Sequence, residues 1–199
     1  MPITSLKQLD FNRHYTYTDY LKWQLEERVE LFRGQIRKMS PAPNVQHQQI
    51  VGILFNRLFN HLENQPCQVF TGPFDVRLPL PNNKKKQTEV DTVVQPDICV
   101  ICDIDKLDKQ GCIGAPDLIV EVLSPGNTNK EMKEKFDLYE AAKVPEYWIV
   151  DPEREYLLQY TLDDSGRYIS AAPLVGSDTL SSRQIERFSC RLDAVFGKR

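Results

Sequence analysis

The segment PDLIVEVLSP, residues 116–125, constrains the fold of this chain more than any other stretch. One carboxylate, Glu121, lies inside the aliphatic run LIVEVL. A run this short, apolar and β-branched is typical of a strand that is buried on both faces of a sheet. A charged carboxylate buried there costs roughly several kcal/mol unless it is paired or bound to a cation. The sequence therefore predicts a partner for Glu121.

A second carboxylate occupies a similar place in the segment QPDICVICDI, residues 95–104. Asp97 precedes an apolar strand, as Asp117 precedes the strand of Glu121. Two carboxylates at corresponding depths on neighbouring strands can hold one or two magnesium ions, because Mg²⁺ prefers oxygen ligands and keeps several waters. We therefore expect Asp97 and Glu121 to share a site. Asp117 lies about 13 Å from Glu121 at the rise of a strand and is interpreted as a strand-entrance turn residue.

The helix predicted after this strand places a lysine on its packed face. The segment TNKE, residues 128–131, fits a capping box with Thr128, so the helix is expected to run from Asn129 to about Ala142. At about 100° per residue, Lys135 falls among the apolar side chains of one face. These side chains are Met132, Phe136, Tyr139 and Ala142. We expect the Lys135 ammonium to reach Glu121, either as a structural ion pair or as part of a catalytic site.

Length and composition predict one domain over residues 1–199, which buries roughly 70% of the unfolded surface. The chain has no apolar run of about 20 residues and no basic-then-apolar leader, so we expect a cytoplasmic protein without a membrane span. A net charge of −3 argues against a protein that coats nucleic acid through its overall field. Two basic groups remain candidates either for phosphate contacts or for solvated surface: Lys84–Lys86, and Arg28, Arg33, Arg37 and Lys38.

The cysteine pattern predicts reduced, structural thiols. The five cysteines are Cys67, Cys99, Cys102, Cys112 and Cys190. Cys99 and Cys102 form a C-x-x-C, but alternation along a strand sends their side chains to opposite faces. A zinc site would need a second ligand pair at suitable spacing, and the sequence has none.

The order of predicted elements indicates an α/β fold, more exactly an α+β mixed sheet flanked by helices. A short helix is expected in TYTDYLKWQLEE with Thr18 as its N-cap, followed by a hairpin that turns near Arg33–Gly34. An amphipathic helix is expected from Asn44 to about Glu63. Buried strands, the helix of Lys135, a further strand and a C-terminal hairpin that turns at DDSG, residues 163–166, complete the pattern.

The joint pattern PDLIVEVLSP…KFDLYEAAKVPEYWIVDP, with Asp97 in QPDICVI, resembles the PD-(D/E)xK nuclease superfamily. The likeness is closest to its Uma-type (Uma-two) family and runs from TYTDYLKW to FSCRLDAVF. It implies a restriction-endonuclease-like core, Asp97 and Glu121 as ligands of Mg²⁺ or Mn²⁺, and Lys135 as the catalytic lysine. The simplest superfamily pattern would place that lysine at position 123, which is Leu123; in this family it has moved to the following helix.

The resemblance also implies roles for three further residues. Glu30, in RVELFRG, matches an upstream acidic position and would be a further ligand or a water-orienting group; otherwise it is an exposed strand glutamate. His47 would lie near the active-site entrance; otherwise it is a satisfied core histidine of an apolar helix face. Gln95 would orient the other side chains of the site; otherwise it only occupies a strand position and has no role in the site.

These expectations define a divalent-metal-dependent endonuclease that hydrolyses DNA, with a homodimer as the simple way to supply two active sites for double-stranded DNA. The alternative is a non-catalytic module that binds nucleic acid or a protein on a nuclease-like fold. A two-carboxylate hydrolase acting on a sugar is a third possibility. The lysine expected beside the carboxylates disfavours that third class.

Overall fold

The structure of the chain is a computed structural model that describes residues 2–39, 44–80, 89–125 and 129–197. The lysine run Lys84–Lys86 and the expected cap Thr128 lie outside these ranges. In the described ranges the helices are α1 (Tyr17–Tyr20), α2 (Val45–Leu62) and α3 (Asn129–Ala141). The strands are β1 (Val29–Phe32), β2 (Gln35–Lys38), β3 (Gln68–Thr71), β4 (Asp75–Arg77), β5 (Val93–Val94), β6 (Ile98–Ile101), β7 (Leu107–Asp108), β8 (Gly111–Ile113), β9 (Leu118–Val122), β10 (Glu146–Asp151), β11 (Tyr156–Leu162), β12 (Tyr168–Ser170), β13 (Leu174–Val175), β14 (Thr179–Ser181) and β15 (Ser189–Arg191).

The strand that contains Glu121 lies inside the main sheet. The strand order is β12-β11-β10-β9-β6-β3, and β13 pairs with β11. Strand β9 is buried along its whole length, antiparallel to β6 and parallel to β10. Parallel strands need a crossover connection, and α3 is the helix of that crossover. The predicted buried strands of Asp97 and Glu121 are therefore neighbours.

A second sheet brings the N-terminal part of the chain to the same region. Its order is β2-β1-β5-β4-β8-β7. Strands β1 and β2 form the predicted hairpin, whose turn residues Arg33 and Gly34 both have positive φ, at 51° and 80°. This conformation at both central positions is that of a type I′ turn, which suits the twist of a two-residue hairpin. Strand β1 carries Glu30.

The two longer helices pack on separate apolar cores. Helix α2 buries Ile50, Leu54 and Leu58 against strands of the main sheet and the C-terminal segment. Helix α3 buries Leu138 and Tyr139 in the other core. The prediction of a mixed α+β fold with flanking helices and N-terminal strands is confirmed, and the predicted C-terminal hairpin is formed by β11 and β12. Strands β14 and β15 form a further two-stranded sheet.

The first helix differs from the prediction. It begins at Tyr17 after Thr16, not after Thr18, and ends at Tyr20. The Asp19 carboxylate accepts the backbone N–H of Thr16 at 3.1 Å, which fixes the helix start two residues earlier than expected. The Thr18 assignment is wrong because Asp19, three residues after Thr16, supplies the reciprocal bond of a capping box.

The prediction of five reduced cysteines is also wrong for two of them. Cys67 and Cys102 form a disulfide. Strands β3 and β6 are antiparallel with Gln68 opposite Ile101, so these two cysteines face each other one step beyond the paired ends. Cys99, Cys112 and Cys190 are free and buried, as expected.

Candidate active site

The six residues singled out in the sequence line one cavity of about 360 Å³. They are Glu30, His47, Gln95, Asp97, Glu121 and Lys135. They come from β1, α2, the segment before β6, β9 and α3, so both sheets and both longer helices contribute. The structure therefore brings together residues that are up to about a hundred positions apart in the sequence.

The partner of Glu121 is Lys135. The Lys135 ammonium donates to Glu121 Oε1 at 2.7 Å, and the Tyr139 hydroxyl donates to the same oxygen at 2.6 Å. Both donors lie on α3, one helical turn apart, and point towards β9. The sequence predicts Lys135 on the packed face of the helix, and the structure places it there.

Burial raises the pKa of the Glu121 carboxyl to about 7 from its ordinary 4.5. The neighbouring carboxylates Asp97 and Glu30 raise it further, while Lys135 lowers it. For Lys135, burial alone would lower the pKa, but Glu121 and Glu30 outweigh that effect and raise it. The lysine is therefore held as a cation at neutral pH.

Asp97 is fixed by the neighbouring strand and by α2. Its Oδ2 accepts the backbone N–H of Val122 at 2.8 Å and lies 3.2 Å from His47 Nε2. Its main-chain oxygen accepts the N–H of Gly72 at 3.2 Å. Because Val122 follows Glu121 directly, the bond to Val122 fixes the side chain of Asp97 relative to the strand that carries Glu121.

His47 is buried at the start of α2, with only 4% of its surface exposed. The carboxylate beside Nε2 favours a proton on that nitrogen, which then donates to Asp97. Its other ring nitrogen, Nδ1, is buried and has no hydrogen-bond partner among the described residues. His47 is thus not a fully satisfied core histidine; it lines the cavity through its contact with Asp97.

Glu30 is buried, so its interpretation as an exposed strand glutamate is wrong. Its Oε1 accepts the backbone N–H of Gln95 at 2.8 Å and lies 3.7 Å from the Lys135 ammonium. The hydrogen bond joins β1 to the segment that enters β6. Glu30 is therefore a second carboxylate beside the lysine.

The Gln95 side chain connects the cavity edge to the second sheet. Its Oε1 accepts two N–H groups of Arg28, at 2.8 and 3.1 Å. Its amide donates to Asp75 at 2.8 Å and to the Tyr20 hydroxyl at 3.2 Å. Gln95 thus contacts Glu30 through its backbone N–H and holds Arg28 through its side chain.

The donor set fits a hydrated divalent cation. Among the described residues, none donates a hydrogen bond to Asp97 Oδ1 or Glu121 Oε2, so each carboxylate keeps one oxygen available. No group of three or more His, Cys, Asp or Glu side chains in the described ranges is arranged to hold a metal. Mg²⁺ is usually bound through one or two carboxylates and several waters, so two oxygens meet its requirement.

Part of the predicted basic cluster lies at the rim of this cavity. Arg28, Arg37 and Lys38 line it, whereas Arg33 is exposed in the β1–β2 turn. The Arg37 guanidinium pairs with Glu134 of α3 at 3.1 and 3.3 Å. The cavity therefore combines buried carboxylates at its base with cations at its edge.

Sequence reasoning missed the hydrogen bond from Tyr139. The helical spacing predicts Tyr139 on the apolar face of α3, and its ring does lie in the core. The available signal was its spacing: a tyrosine four residues after Lys135 shares the lysine's side of a helix. A buried tyrosine hydroxyl needs an acceptor, and Glu121 was the predicted buried carboxylate.

The fold is that of nuclease-like proteins. The structure matches the "Crystal structure of a putative nuclease belonging to DUF820 from Anabaena variabilis ATCC 29413" with a TM-score of 0.72 and 16% identity, over 92% of this chain and 98% of that one. The family model "Uma2: Putative restriction endonuclease" matches residues 17–194, and the chain belongs to this family. The "Uncharacterized protein slr1290" of Synechocystis sp. is 27% identical over 155 residues, 76% of each chain. The resemblance of the sequence to the Uma-type family is confirmed. Within the described ranges, no helix has the length and apolar character needed to cross a membrane.

Proposed function

We propose that this protein is a divalent-metal-dependent endonuclease that hydrolyses DNA phosphodiester bonds. The observation that carries the proposal is the contact of 2.7 Å between Lys135 and Glu121 in the cavity that Asp97 also lines. This arrangement leaves one oxygen on each carboxylate for a cation and places a cation of the protein beside them. Membership of a family described as a restriction endonuclease supports DNA as the substrate.

Asp97 and Glu121 would hold Mg²⁺ or Mn²⁺ through Oδ1 and Oε2. When bound, such a cation supplies an activated water and screens the charge that develops on the phosphate. The protein fixes the two carboxylates beforehand, through Val122 for Asp97 and through Lys135 and Tyr139 for Glu121. This preorganisation limits the reorganisation required when the substrate binds.

Lys135 acts as a charged group, not as a base. Its raised pKa keeps the ammonium protonated, because Glu121 and Glu30 both stabilise the charge. A protonated lysine cannot remove a proton from water, but it can orient the water and stabilise negative charge on the phosphate. Glu30 and His47 are then positioning residues, one beside the ammonium and the other beside Asp97.

The cations at the rim would contact the flanking phosphates. Arg28 is held by Gln95, and Arg37 by Glu134, so both guanidinium groups are oriented before DNA arrives.

We further propose one restriction-endonuclease-like domain over residues 1–199. A homodimer would supply two active sites for cleavage of both strands.

The test is cleavage of supercoiled plasmid and single-stranded oligonucleotide by the purified chain in Mg²⁺ or Mn²⁺, beside a binding titration in Ca²⁺. We expect the wild type to cut and Asp97→Asn to bind DNA without cutting. Asparagine retains an oxygen that can accept from Val122, so the variant should keep its fold by circular dichroism. A wild type that binds DNA but cuts neither substrate in either metal would favour the non-catalytic binding module.

A further inference from the structure

A second, larger cavity lies on the other flank of α2. Its volume is about 1,100 Å³, and it extends between α2 and the C-terminal segment around Phe188 and Val195. Its described lining includes Arg57 and His61 but no Asp or Glu. A cavity lined by a cation and by no carboxylate among the described residues favours an anion over a cation.

Arg57 is the charged group without a partner in that cavity. Among the described residues, none forms an ion pair or hydrogen bond with its guanidinium, and its Nε is buried and unsatisfied. A buried donor without an acceptor costs roughly 1–3 kcal/mol, more when it is charged. His61, in contrast, is engaged with the main-chain oxygen of Glu186 at 2.9 Å. The Arg57 guanidinium therefore lines the cavity without a paired carboxylate among the described residues, which is the second observation that points to an anionic ligand.

The two cavities meet over the outer surface of α2. Gln48 and Gly52 line both of them. A Cβ at Gly52 would have no atom within 4 Å, so packing within the described chain does not require glycine there. Glycine in the interior of a helix costs about 0.5–1 kcal/mol relative to alanine. The missing side chain at Gly52 thus leaves the backbone of α2 uncovered between the two cavities, and packing among the described residues does not explain it.

An aromatic pair lies on the next two turns of α2 after Gly52. Phe55, which lines the candidate active site, stacks with Phe59 at 5.7 Å between ring centroids, and 51% of the Phe59 surface is exposed. Exposed aromatic rings next to cationic grooves are the usual platform for stacking of nucleobases. The aromatic pair therefore distinguishes a nucleic-acid strand from a small anion such as free phosphate.

We infer that a DNA strand leaving the active-site cavity crosses α2 at Gly52 and continues in the second cavity, where Arg57 contacts a backbone phosphate. This inference rests on the proposed function and extends it to a longer binding track. Phe59 contacts a base of the crossing strand, and the backbone at Gly52 allows its close approach. The track makes binding depend on DNA length, because a short oligonucleotide reaches only the first cavity.

The test is a binding titration of the full chain in Ca²⁺ over a range of salt concentrations, with one short and one long single-stranded oligonucleotide. Loss of one phosphate contact reduces the magnitude of the slope of log K against log salt by about 0.7 for single-stranded DNA. Arg57→Gln should show this loss with the long oligonucleotide only, while Arg57→Lys should keep most of the wild-type slope. Arg183→Gln is the matched control, since Arg183 is exposed and lines neither cavity.

A second variant tests the crossing without changing charge. Gly52→Leu has room for its side chain and improves helix propensity, so it should not lower the melting temperature. It should nevertheless weaken binding of the long oligonucleotide. Gly52→Leu with unchanged affinity for that oligonucleotide would mean that no strand crosses α2 there.

The outcomes separate the inference from the proposed function. Equal salt slopes for wild type and Arg57→Gln, with a wild type that cuts plasmid, would overturn the second track and leave the nuclease proposal intact. Unchanged slopes together with an altered oligomeric state of Arg57→Gln in light scattering would mean that a second copy of the chain fills the cavity. A wild type that neither binds nor cuts nucleic acid would remove both proposals.

Discussion

Asp97 is tied to strand β9 by the backbone N–H of Val122, which donates to its Oδ2 at 2.8 Å. The donor residue directly follows Glu121 on β9, so the bond fixes the position of the Asp97 carboxylate relative to Glu121. Asp97, which precedes β6, and Glu121, which lies in β9, thereby belong to one site.

Divalent cations should raise the melting temperature of the wild type. A ligand present at 100 times its Kd stabilises the folded state by about 2.7 kcal/mol. For a chain of this size this corresponds to a rise of roughly 5–10 °C. Thermal unfolding in Mg²⁺, Mn²⁺ and chelator measures the effect.

Asp97→Asn is the control for that shift. The variant should lose most of the metal-dependent rise, because one of the two carboxylates is gone. In chelator it should melt at or above the wild-type temperature, since Asp97 no longer opposes the charge on Glu121. A full metal-dependent shift in Asp97→Asn would place the cation elsewhere.

Lys135→Met should damage turnover more than DNA affinity. Removal of an electrostatic contact that strengthens in the transition state typically costs about 10²–10³-fold in rate, with little effect on ground-state binding. Methionine keeps most of the side chain on the packed face of α3. Single-turnover cleavage of plasmid, beside a titration in Ca²⁺, separates the two effects.

The same substitution has a cost in stability that must be measured first. It leaves Glu121 and Glu30 buried without their ammonium, and breaking a buried pair in this way costs about 3–5 kcal/mol. Cleavage is therefore compared at a temperature where circular dichroism shows both proteins folded. A folded Lys135→Met that cuts at the wild-type rate would exclude Lys135 from the mechanism.

Glu121 should make the metal-free protein less stable as the pH rises. Its pKa in the folded state, about 7, lies above its ordinary value of 4.5. The folded state therefore holds the proton more tightly, and the associated stability is present below about pH 4.5 and is lost as the pH rises through about 7. The raised pKa of Lys135 changes nothing in this range, because that lysine stays protonated throughout.

The measurement is the free energy of unfolding in chelator between pH 5 and pH 8.5. Glu121→Gln should show a smaller decrease across that range than the wild type, since the amide does not titrate. Addition of Mg²⁺ should oppose the wild-type decrease most strongly above pH 7, because cation binding requires the deprotonated carboxylate. Parallel pH profiles of wild type and Glu121→Gln would contradict the raised pKa.

Tyr139→Phe should destabilise the fold and change the titration of Glu121. The lost hydroxyl donates to Glu121 Oε1 at 2.6 Å, and hydrogen bonds to charged groups contribute about 1.5–3 kcal/mol. Without this donor the ionised carboxylate is less stable, so its pKa should rise further. Chemical denaturation at pH 6 and pH 8 measures both effects, with the larger loss expected at pH 8.

Tyr160→Phe is the matched control for the lost hydroxyl. Tyr160 packs in the same aromatic cluster, with its ring 5.0 Å from that of Phe136. Among the described residues, none forms a hydrogen bond with its hydroxyl. This variant should change stability by less than about 0.5 kcal/mol at either pH, as usual for substitutions that break no specific contact.

The sequence predicted the part of the site that depends on local patterns. The apolar run around Glu121 and the helical spacing of Lys135 both reflect periodicity, which a single sequence displays directly. The resemblance to a nuclease family added Glu30 and His47 as candidates. All four line the same cavity in the structure.

The rest depended on contacts between distant segments. The burial of Glu30 follows from the docking of the second sheet beside the main sheet, and no local pattern in RVELFRG reports it. The disulfide of Cys67 and Cys102 follows from the antiparallel pairing of β3 with β6, a register that the sequence left open. The unsatisfied Nδ1 of His47 depends on the packing around α2.

The position of Glu30 on a different sheet from Asp97 and Glu121 affects when the site can form. Its hydrogen bond from Gln95 joins residues 65 positions apart, and the pair Arg37–Glu134 joins residues 97 positions apart. Contacts so distant along the chain require the closure of long loops, which costs conformational entropy. A ribosome that has just released β1 still has to synthesise α3 before Lys135 exists. If the protein cuts DNA, a nascent or half-folded chain is therefore inert, and cleavage activity appears only with the complete fold.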